Sequence, residues 1–315
     1  MNELRGQTGS TWIALVVFEY QNDANSVAMS PNTTGLNPLN GRPWSTSSTL
    51  DDIREGARRA RALSLQIMLK PHVDLYSGEW RAAIRPDDAG TWFSAYRSMM
   101  LKYAALAQEL KIEMLCVGTE YVTSTQAKYT LQWQSLIASV RSVYRGRLVY
   151  AANWSGAYDY GLNEPEFTQV GFWSSLDYIG VDSYFALTVF PGDTIPPFDE
   201  AVAHMWEMGS AIGTVSYLRH KPVIFTETGI QSVKGALASP WNYSLGSSPS
   251  AVPDTNVQDF YYRVMIQAMG SRSWCEGLFW WNWESMPTSN AATNYTPRYK
   301  PAAATLRRWY TAGAI

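Results

Sequence analysis

Two glutamates stand at the ends of apolar runs in this sequence. Glu120 closes the run Cys-Val-Gly-Thr-Glu, and Glu227 lies in Ile-Phe-Thr-Glu-Thr-Gly. Each run has the character of a buried strand, and in parallel α/β barrels the carboxyl ends of the strands build the active site. Cleavage of a glycosidic bond requires two facing carboxyl groups, one to protonate the leaving oxygen and one to attack or to activate water. The pair therefore predicts glycoside hydrolysis, against the simpler interpretation of two structural ion-pair partners.

The rest of the chain alternates between strand and helix patterns. Apolar runs that do not alternate with polar residues are typical of strands covered on both faces. Seven such runs lie at 12–18, 65–70, 114–119, 147–152, 177–182, 222–227 and 277–283. Helical patterns lie at about 48–63, 89–110, 128–144, 198–219, 254–272 and 300–312, with one short helix in 160–175. This order predicts an α/β fold, a TIM-type (β/α)8 barrel.

The strand count is one short of a complete barrel. Residues 1–10 have the pattern of a helix end and a turn, so the first strand is missing and the barrel is expected to be incomplete, as one domain over residues 1–315. Barrel closure removes sheet edges, and an open barrel exposes two. The gap would be covered by the N-terminal segment, by direct pairing of the two edges, or by a neighbouring subunit in a homo-oligomer.

Charge and composition exclude several partners. The net charge is −2, from 25 basic and 27 acidic residues, without a basic run, which argues against nucleic acid and anionic membranes as partners. No stretch approaches 18 consecutive apolar residues, and the start lacks the pattern of a secretory signal. The sequence does not decide between a cytoplasmic location and export with later removal of a leader. With 3 His in no ligand spacing, we expect neither a metal nor a cofactor.

Aromatic residues are abundant and often stand beside loop residues. The chain has 14 Trp and 19 Tyr, whose flat rings suit the faces of sugars. Trp80 follows a strand and is a candidate platform for a sugar, as are Tyr20, Trp154 and Trp241. For any one of them, packing in the core or at the rim is at least as good an interpretation.

Six motifs at strand ends carry a family resemblance that runs from near residue 1 to the end. They are Leu69-Lys70-Pro71-His72-Val73-Asp74, Glu79-Trp80-Arg81, Val117-Gly118-Thr119-Glu120, Ile179-Gly180-Val181-Asp182-Ser183-Tyr184, Thr226-Glu227-Thr228-Gly229 and Gly277-Leu278-Phe279-Trp280-Trp281-Asn282-Trp283. In these motifs the chain resembles glycoside hydrolase family 113, whose best-known members are β-mannanases, within a large clan of retaining barrel hydrolases.

The resemblance implies a mechanism. With one strand lost at the start, Glu120 ends the fourth strand and Glu227 the seventh, where the clan keeps its acid/base and its nucleophile. Double displacement on β-1,4-mannan or manno-oligosaccharides would follow, with the carboxyl groups about 5–5.5 Å apart. Two alternatives stay open: another sugar, as a β-glucan, β-glucoside or β-galactoside, or a non-catalytic carbohydrate-binding barrel derived from a hydrolase.

Further residues are expected to bind the substrate. Tyr184 would donate to the nucleophile, as a tyrosine in this region does in related hydrolases, and Asp182 would hold a sugar hydroxyl or support Tyr184. His72 and Asp74 would contact hydroxyls of the sugar that is cleaved, and Asn153 would add a further contact. Many members of the clan have Asn where this chain has Thr119, which leaves open the residue that reads the sugar 2-hydroxyl.

The last strand is expected to supply the floor of the cleavage subsite. Trp281 and Trp283 would lie on one face of that strand, with Trp280 and Asn282 on the other, because successive side chains of a strand alternate. Only one of these sets can line the site, and we favour Trp281 as the floor.

Overall fold

A computed structural model describes residues 1–189, 192, 194–286 and 288–312. Its sheet has seven strands in the order of the chain. They are β1 (Trp12–Gln21), β2 (Gln66–Leu75), β3 (Met114–Thr119), β4 (Arg147–Asn153), β5 (Tyr178–Ser183), β6 (Val223–Thr228) and β7 (Cys275–Trp280). All seven predicted strands are confirmed, and β1 and β2 extend further than their apolar runs.

Helices separate the strands as predicted. They are α1 (Asn2–Thr8), α2 (Leu50–Ala62), α3 (Ala89–Glu109), α4 (Thr130–Val143), α5 (Glu166–Gln169), α6 (Phe198–Arg219), α7 (Thr255–Met265) and α8 (Pro301–Ala312). Thr49 and Asp52 form a capping box at the start of α2, and Asp254 accepts from two backbone amides at the start of α7. Among the described residues, no helix has the length and apolar character needed to cross a membrane.

The chain divides into two compact units. The β1–β4 unit comprises Trp12–Val181, and the β6–β7 unit comprises Met1–Thr11 with Asp182–Ile315. The boundary falls inside β5. That residues 1–315 form one domain stays a prediction.

In the β1–β4 unit, neighbouring strands pair in parallel. The ladder between β3 and β4 shifts register between Cys116 and Thr119. A glycine is needed in this shifted stretch, because a Cβ on Gly118 would lie 2.7 Å from the Tyr150 ring and 3.0 Å from Trp133. Close packing of β3 on these aromatic rings thus sets the path of the backbone just before Glu120.

In the β6–β7 unit, β6 pairs in parallel with β7. The N-terminal helix α1 packs on α8, where Arg307 donates to the Gly6 carbonyl, and Glu3 pairs with Arg298 at 2.6 Å. Gly229 follows β6 where a Cβ would meet the Trp281 carbonyl oxygen at 2.3 Å. A side chain at this position would force β6 and the residues after β7 apart.

The end strands of the sheet are more exposed than their neighbours. In β2, residues Ile67 to Val73 are buried, whereas Trp12 to Val16 of β1 are half-buried although they are apolar. The same contrast separates β6, buried throughout, from β7, in which only Leu278 is buried. This pattern matches the predicted barrel that lacks one strand.

Candidate active site

Glu120 directly follows β3 in a left-handed backbone conformation, with φ 54°. Its backbone amide donates to the Ala151 carbonyl at 2.8 Å, and the next amide, of Tyr121, donates to the Tyr150 hydroxyl at 2.8 Å. Residues of β4 therefore hold the peptide units on both sides of Glu120. A residue with a Cβ rarely adopts positive φ, and such residues cluster at functional sites.

The Glu120 carboxylate is 6% exposed and is hydrogen-bonded through both oxygens. Its Oε2 accepts from Arg81 Nη1 at 2.8 Å and from the Trp80 indole at 3.2 Å. Its Oε1 accepts from Asn153 Nδ2 at 2.5 Å. Donors from the segment after β2 and from the end of β4 thus converge on this one carboxylate.

Arg81 connects Glu120 to Asp74. The guanidinium Nε and Nη2 contact Asp74 Oδ1 at 2.8 and 2.7 Å, while Nη1 contacts Glu120. Of the residues predicted for the site, Asp74, Trp80 and Asn153 are therefore brought together around Glu120. Arg81 was part of a quoted motif but was not predicted as a site residue.

His72 lies inside the β1–β4 unit and is 1% exposed. Its ring packs edge-on against Phe18, with the centroids 5.0 Å apart. Burial, together with the positive charges of Arg81 and Lys70, holds the pKa of His72 well below its ordinary value. The imidazole is therefore neutral at physiological pH, and its contact with a sugar hydroxyl stays a prediction.

Glu227 is the next-to-last residue of β6 and is 7% exposed. The Tyr184 hydroxyl donates to its Oε2 at 2.8 Å. Burial and the negative charge of Glu227 raise the pKa of Tyr184 well above its ordinary value, so the phenol keeps its proton. This is the contact that the sequence predicted for Tyr184.

Asp182 is fully buried and is the first residue of the Asp182–Ile315 segment of the β6–β7 unit. Its Oδ1 accepts from the Thr226 hydroxyl at 2.6 Å, one residue before Glu227 in β6. Asp182 thus contacts the strand that presents Glu227. Its two predicted roles, a sugar contact and support of Tyr184, stay predictions.

The strand alternation predicted for the Trp281 region is wrong. Strand β7 ends at Trp280, and the Trp281 amide makes a last contact with the Thr228 carbonyl at 2.7 Å. Trp281 and Trp283 lie beyond the strand and are half-buried, so a period of two does not govern them. Trp280 stacks on Tyr262 of α7, with the centroids 3.9 Å apart.

The predicted aromatic platforms differ in exposure. Trp80 and Trp241 are 40% and 48% exposed, and Trp154 is half-buried. Tyr20 is buried and packs on Tyr76, with the centroids 5.0 Å apart. A cavity of about 640 Å³ lies beside these two tyrosines and is lined by uncharged residues, most of them from the loop after β1.

Glu166, which the sequence analysis did not single out, lies behind the Glu120 site. It is 1% exposed, and it accepts hydrogen bonds from Tyr150, from Thr125 and from the Asn153 backbone amide. Within the described part of the chain, no group of three or more His, Cys, Asp or Glu side chains could hold a metal ion.

Comparisons with known proteins identify the family of the chain. A family model described as Glycoside Hydrolase Family 113 matches residues 1–301. The structure is similar to a complex of a GH113 β-1,4-mannanase, at 25% identity and a TM-score of 0.78, over 99% of this chain and 91% of that one. It is also similar to the GH113 β-mannanase AaManA from Alicyclobacillus acidocaldarius in complex with ManMIm, at 24% identity and a TM-score of 0.80, with the same coverage.

More distant relatives share the fold. A β-glucuronidase from Ruminococcus gnavus in complex with D-glucuronic acid matches at 11% identity and a TM-score of 0.59, over 98% of this chain and 45% of that one. No curated protein matches the chain significantly. The matches to GH113 enzymes confirm the predicted TIM-type barrel fold with seven strands.

Proposed function

The chain belongs to glycoside hydrolase family 113, and from this premise we propose that it hydrolyses β-1,4-mannan or manno-oligosaccharides with retention of configuration. The GH113 structures that it resembles are described as β-mannanases, and one of them as a β-1,4-mannanase. Family membership makes the chain a glycoside hydrolase. The sugar, the stereochemical course and the reacting residues are the substance of the proposal.

The proposed reaction has two steps. In the first, Glu120 gives its proton to the glycosidic oxygen while the Glu227 carboxylate attacks the anomeric carbon, so that the carbon–oxygen bond breaks and a glycosyl ester of Glu227 forms. In the second, the Glu120 carboxylate takes a proton from water, whose oxygen attacks the same carbon and frees Glu227. Retention requires that the two carboxyl groups act on opposite sides of one sugar.

One observation carries the proposal: each unit of the chain presents a nearly buried glutamate at the end of a strand, with hydrogen-bond donors already aimed at its carboxylate. Arg81, Trp80 and Asn153 donate to Glu120, and Tyr184 donates to Glu227. A structural ion pair would need no indole or phenol at these places. Donors fixed before the substrate arrives are typical of preorganised catalytic carboxylates.

The remaining residues are proposed to bind sugar. We assign Asp74, Trp80 and Asn153 to the contacts around the scissile bond, since all three adjoin Glu120 directly or through Arg81. His72 supplies a neutral hydrogen-bonding ring. Asp182 holds a sugar hydroxyl or supports Tyr184. Trp281 is assigned to the floor of the cleavage subsite, and Trp283 to a further contact with the substrate.

Release of reducing ends tests the substrate. The protein is incubated with mannan, manno-oligosaccharides, β-glucan, xylan and aryl β-glycosides, and we expect mannan and manno-oligosaccharides to be cut fastest. Faster cleavage of a glucan or a β-galactoside would change the assigned substrate and leave the assignment of the two glutamates as it is. If the folded protein binds a glycan but cuts none of them, it is a carbohydrate-binding barrel and the proposed function fails.

A trapped intermediate tests the nucleophile. A 2-fluoro-mannosyl fluoride should inactivate the enzyme, and mass spectrometry of its peptides should find the label on Glu227. The matched control is Glu276→Ala, because Glu276 is an exposed glutamate of the neighbouring strand β7 and should label at Glu227 as the wild type does. Label on any other residue would overturn the assignment.

We also propose that a second copy of the chain covers the end strands in a homo-oligomer. The support is the half-buried apolar stretch Trp12 to Val16 of β1, next to β2, in which Ile67 to Val73 are buried. The N-terminal helix α1 packs on α8 within its own unit. Light scattering across a concentration series should show a dimer or larger species, which Ile13→Lys should weaken, whereas a monomer at every concentration contradicts this proposal.

A further inference from the structure

A second buried carboxylate lies behind Glu120, and the proposed reaction does not use it. Glu166 is the first residue of the short helix α5 and is 1% exposed. Its Oε1 accepts from the Tyr150 hydroxyl at 2.6 Å and from the Thr125 hydroxyl at 2.8 Å, and its Oε2 accepts from the Asn153 amide at 2.6 Å. Burying a carboxyl group costs free energy, so three donors around it indicate a role that an apolar residue could not fill.

Two of these donors also hold Glu120. Asn153 donates its backbone amide to Glu166 and its side-chain Nδ2 to Glu120 Oε1. The orientation of that side-chain amide is set by Ser155, whose backbone amide and hydroxyl both donate to Asn153 Oδ1, at 2.7 and 2.8 Å. One residue therefore spans the two carboxyl groups, and Glu166 fixes where its backbone lies.

The second connection runs through the backbone. The Tyr150 hydroxyl donates to Glu166 and accepts from the amide of Tyr121, which belongs to the peptide bond that follows Glu120. That peptide is part of the left-handed turn at Glu120. Because the hydroxyl has one hydrogen, its donation to Glu166 leaves its lone pairs to the Tyr121 amide. Glu166 thus orients the hydroxyl that holds the strained backbone in place.

We propose that Glu166 is a positioning residue, which acts through Asn153 and Tyr150 to hold the Glu120 carboxyl group where it can transfer a proton to the glycosidic oxygen. The inference rests on the proposed function of Glu120 and extends it to a residue that touches no substrate atom. Burial raises the pKa of Glu166 to about 7, and the charge of Glu120 adds to this rise. The hydrogen bonds from Asn153, Tyr150 and Thr125 oppose it.

The test separates proton transfer from the other parts of catalysis. A dinitrophenyl mannoside has a leaving group that departs without a proton, whereas a manno-oligosaccharide needs one. In the Glu166→Gln variant we expect kcat/KM to fall about 10- to 100-fold on mannotetraose, because a small misplacement of a reacting group has this scale of effect. On the dinitrophenyl mannoside we expect a fall of less than about 3-fold. A merely structural loss would lower both alike.

Three further variants make the result decisive. Glu120→Ala should lower kcat/KM on mannotetraose much more than on the dinitrophenyl mannoside, which is the pattern expected when the acid is lost. Glu166→Gln should show the same pattern with a smaller difference between the two substrates. Glu19→Gln is the matched control, because Glu19 is also a buried carboxylate of the β1–β4 unit, but contacts Tyr103 and Lys102 of α3. Tyr150→Phe keeps the ring and removes the hydroxyl, so it should reproduce the same difference between substrates and carries the test if Glu166→Gln does not fold.

The outcomes distinguish this inference from the proposed function. In one outcome, the wild type and Glu120→Ala behave as expected while Glu166→Gln and Tyr150→Phe lower kcat/KM equally on both substrates, or on neither. In that case the positioning role is overturned and the proposed function stands. If Glu19→Gln shows the same difference between substrates, the effect is general destabilisation and the positioning role is overturned as well. If the folded wild type hydrolyses no glycan, the proposed function fails and the inference fails with it.

Discussion

Glu120 and Glu227 are both nearly buried glutamates at strand ends, but their surroundings differ. Glu120 lies just after its strand in a left-handed conformation and accepts from a guanidinium, an indole and an amide. Glu227 lies within its strand and accepts from the neutral hydroxyl of Tyr184. A second carboxyl group stands behind Glu120 and shares a contact residue with it.

The difference fits two unlike tasks. A nucleophile stays anionic until it attacks, and the Tyr184 hydroxyl, which keeps its proton, helps to orient the Glu227 carboxylate. An acid/base residue gives up a proton and takes one back in each turnover, so its surroundings must tolerate both forms. Arg81 contacts Glu120 and Asp74 at once, so two carboxylates share the charge of one guanidinium.

The largest effect should come from removing Glu227, the proposed nucleophile. Glu227→Ala should lower kcat about 10⁴-fold or more on every substrate, whether its leaving group is good or poor, because the intermediate cannot form. Hydrolysis of the dinitrophenyl mannoside and of mannotetraose is measured side by side. Retention of activity above about 1% would show that Glu227 is not the nucleophile and would remove the basis of the comparison.

Removal of Glu120, the proposed acid/base, should give a smaller loss that depends on the leaving group. Glu120→Ala should lower kcat/KM on mannotetraose about 10²–10⁴-fold, whereas kcat/KM on the dinitrophenyl mannoside should change little, because that leaving group needs no proton. Azide, which attacks without a general base, should raise kcat of this variant and give a β-mannosyl azide. An equal fall in kcat/KM on both substrates would contradict the proposed roles of Glu120 as acid/base and Glu227 as nucleophile.

Tyr184 gives a finer test of the Glu227 side. Tyr184→Phe removes one hydrogen bond to a charged group, worth about 1.5–3 kcal/mol, so kcat/KM should fall about 10- to 100-fold on both substrates alike. The rate of labelling by the fluorosugar should fall in parallel, because it reports the attack of Glu227. A loss confined to the oligosaccharide would place Tyr184 with the acid/base instead.

The smallest effect concerns stability against pH. Burial raises the pKa of Glu166 to about 7 from an ordinary value of 4.5, so between these values the folded protein holds a proton that the unfolded chain has released. The contribution of this group to the free energy of unfolding therefore falls as the pH rises through that window. Glu166→Gln lacks it, so its Tm relative to the wild type should be higher by about 2 °C or more at pH 8 than at pH 5.

The measurement is thermal unfolding of the wild type and Glu166→Gln at both pH values. A difference in Tm between the wild type and Glu166→Gln that is the same at pH 5 and pH 8 would contradict the raised pKa. It would also mean that the carboxyl group of Glu166 does not make the surroundings of Glu120 differ from those of Glu227 in the way described.

Much of the fold could be predicted because the strands are short, apolar and bounded by clear helix signals. Thr49 and Asp254 cap the starts of α2 and α7, where the local oxygen-to-amide geometry depends on few residues. The end of β7 was not predictable. An aromatic run over Trp280 to Trp283 looks like strand throughout, yet the chain leaves the sheet after Trp280.

The site, too, contains residues that could be predicted from the sequence and one that could not. Strand-end motifs place Glu120, Asp74 and Trp80 in one neighbourhood, because parallel strands bring their carboxyl ends to the same edge. Glu166 carries no such signal. It lies in a short helix after an irregular stretch, and its link to Glu120 depends on Asn153 and Tyr150 of another strand. Contacts between residues distant along the chain do not follow from local pattern.

The left-handed backbone at Glu120 has a practical consequence for engineering. A residue with a Cβ pays about 1–2 kcal/mol for that conformation, which glycine adopts without cost. A glycine at this position would remove that conformational cost, but it would also remove the acceptor of the hydrogen bonds from Arg81, Trp80 and Asn153. A library designed for a more heat-tolerant variant should therefore keep position 120 fixed and vary residues elsewhere, because the relief of backbone strain is opposed by the lost hydrogen bonds and the proposed acid/base group is lost with the side chain.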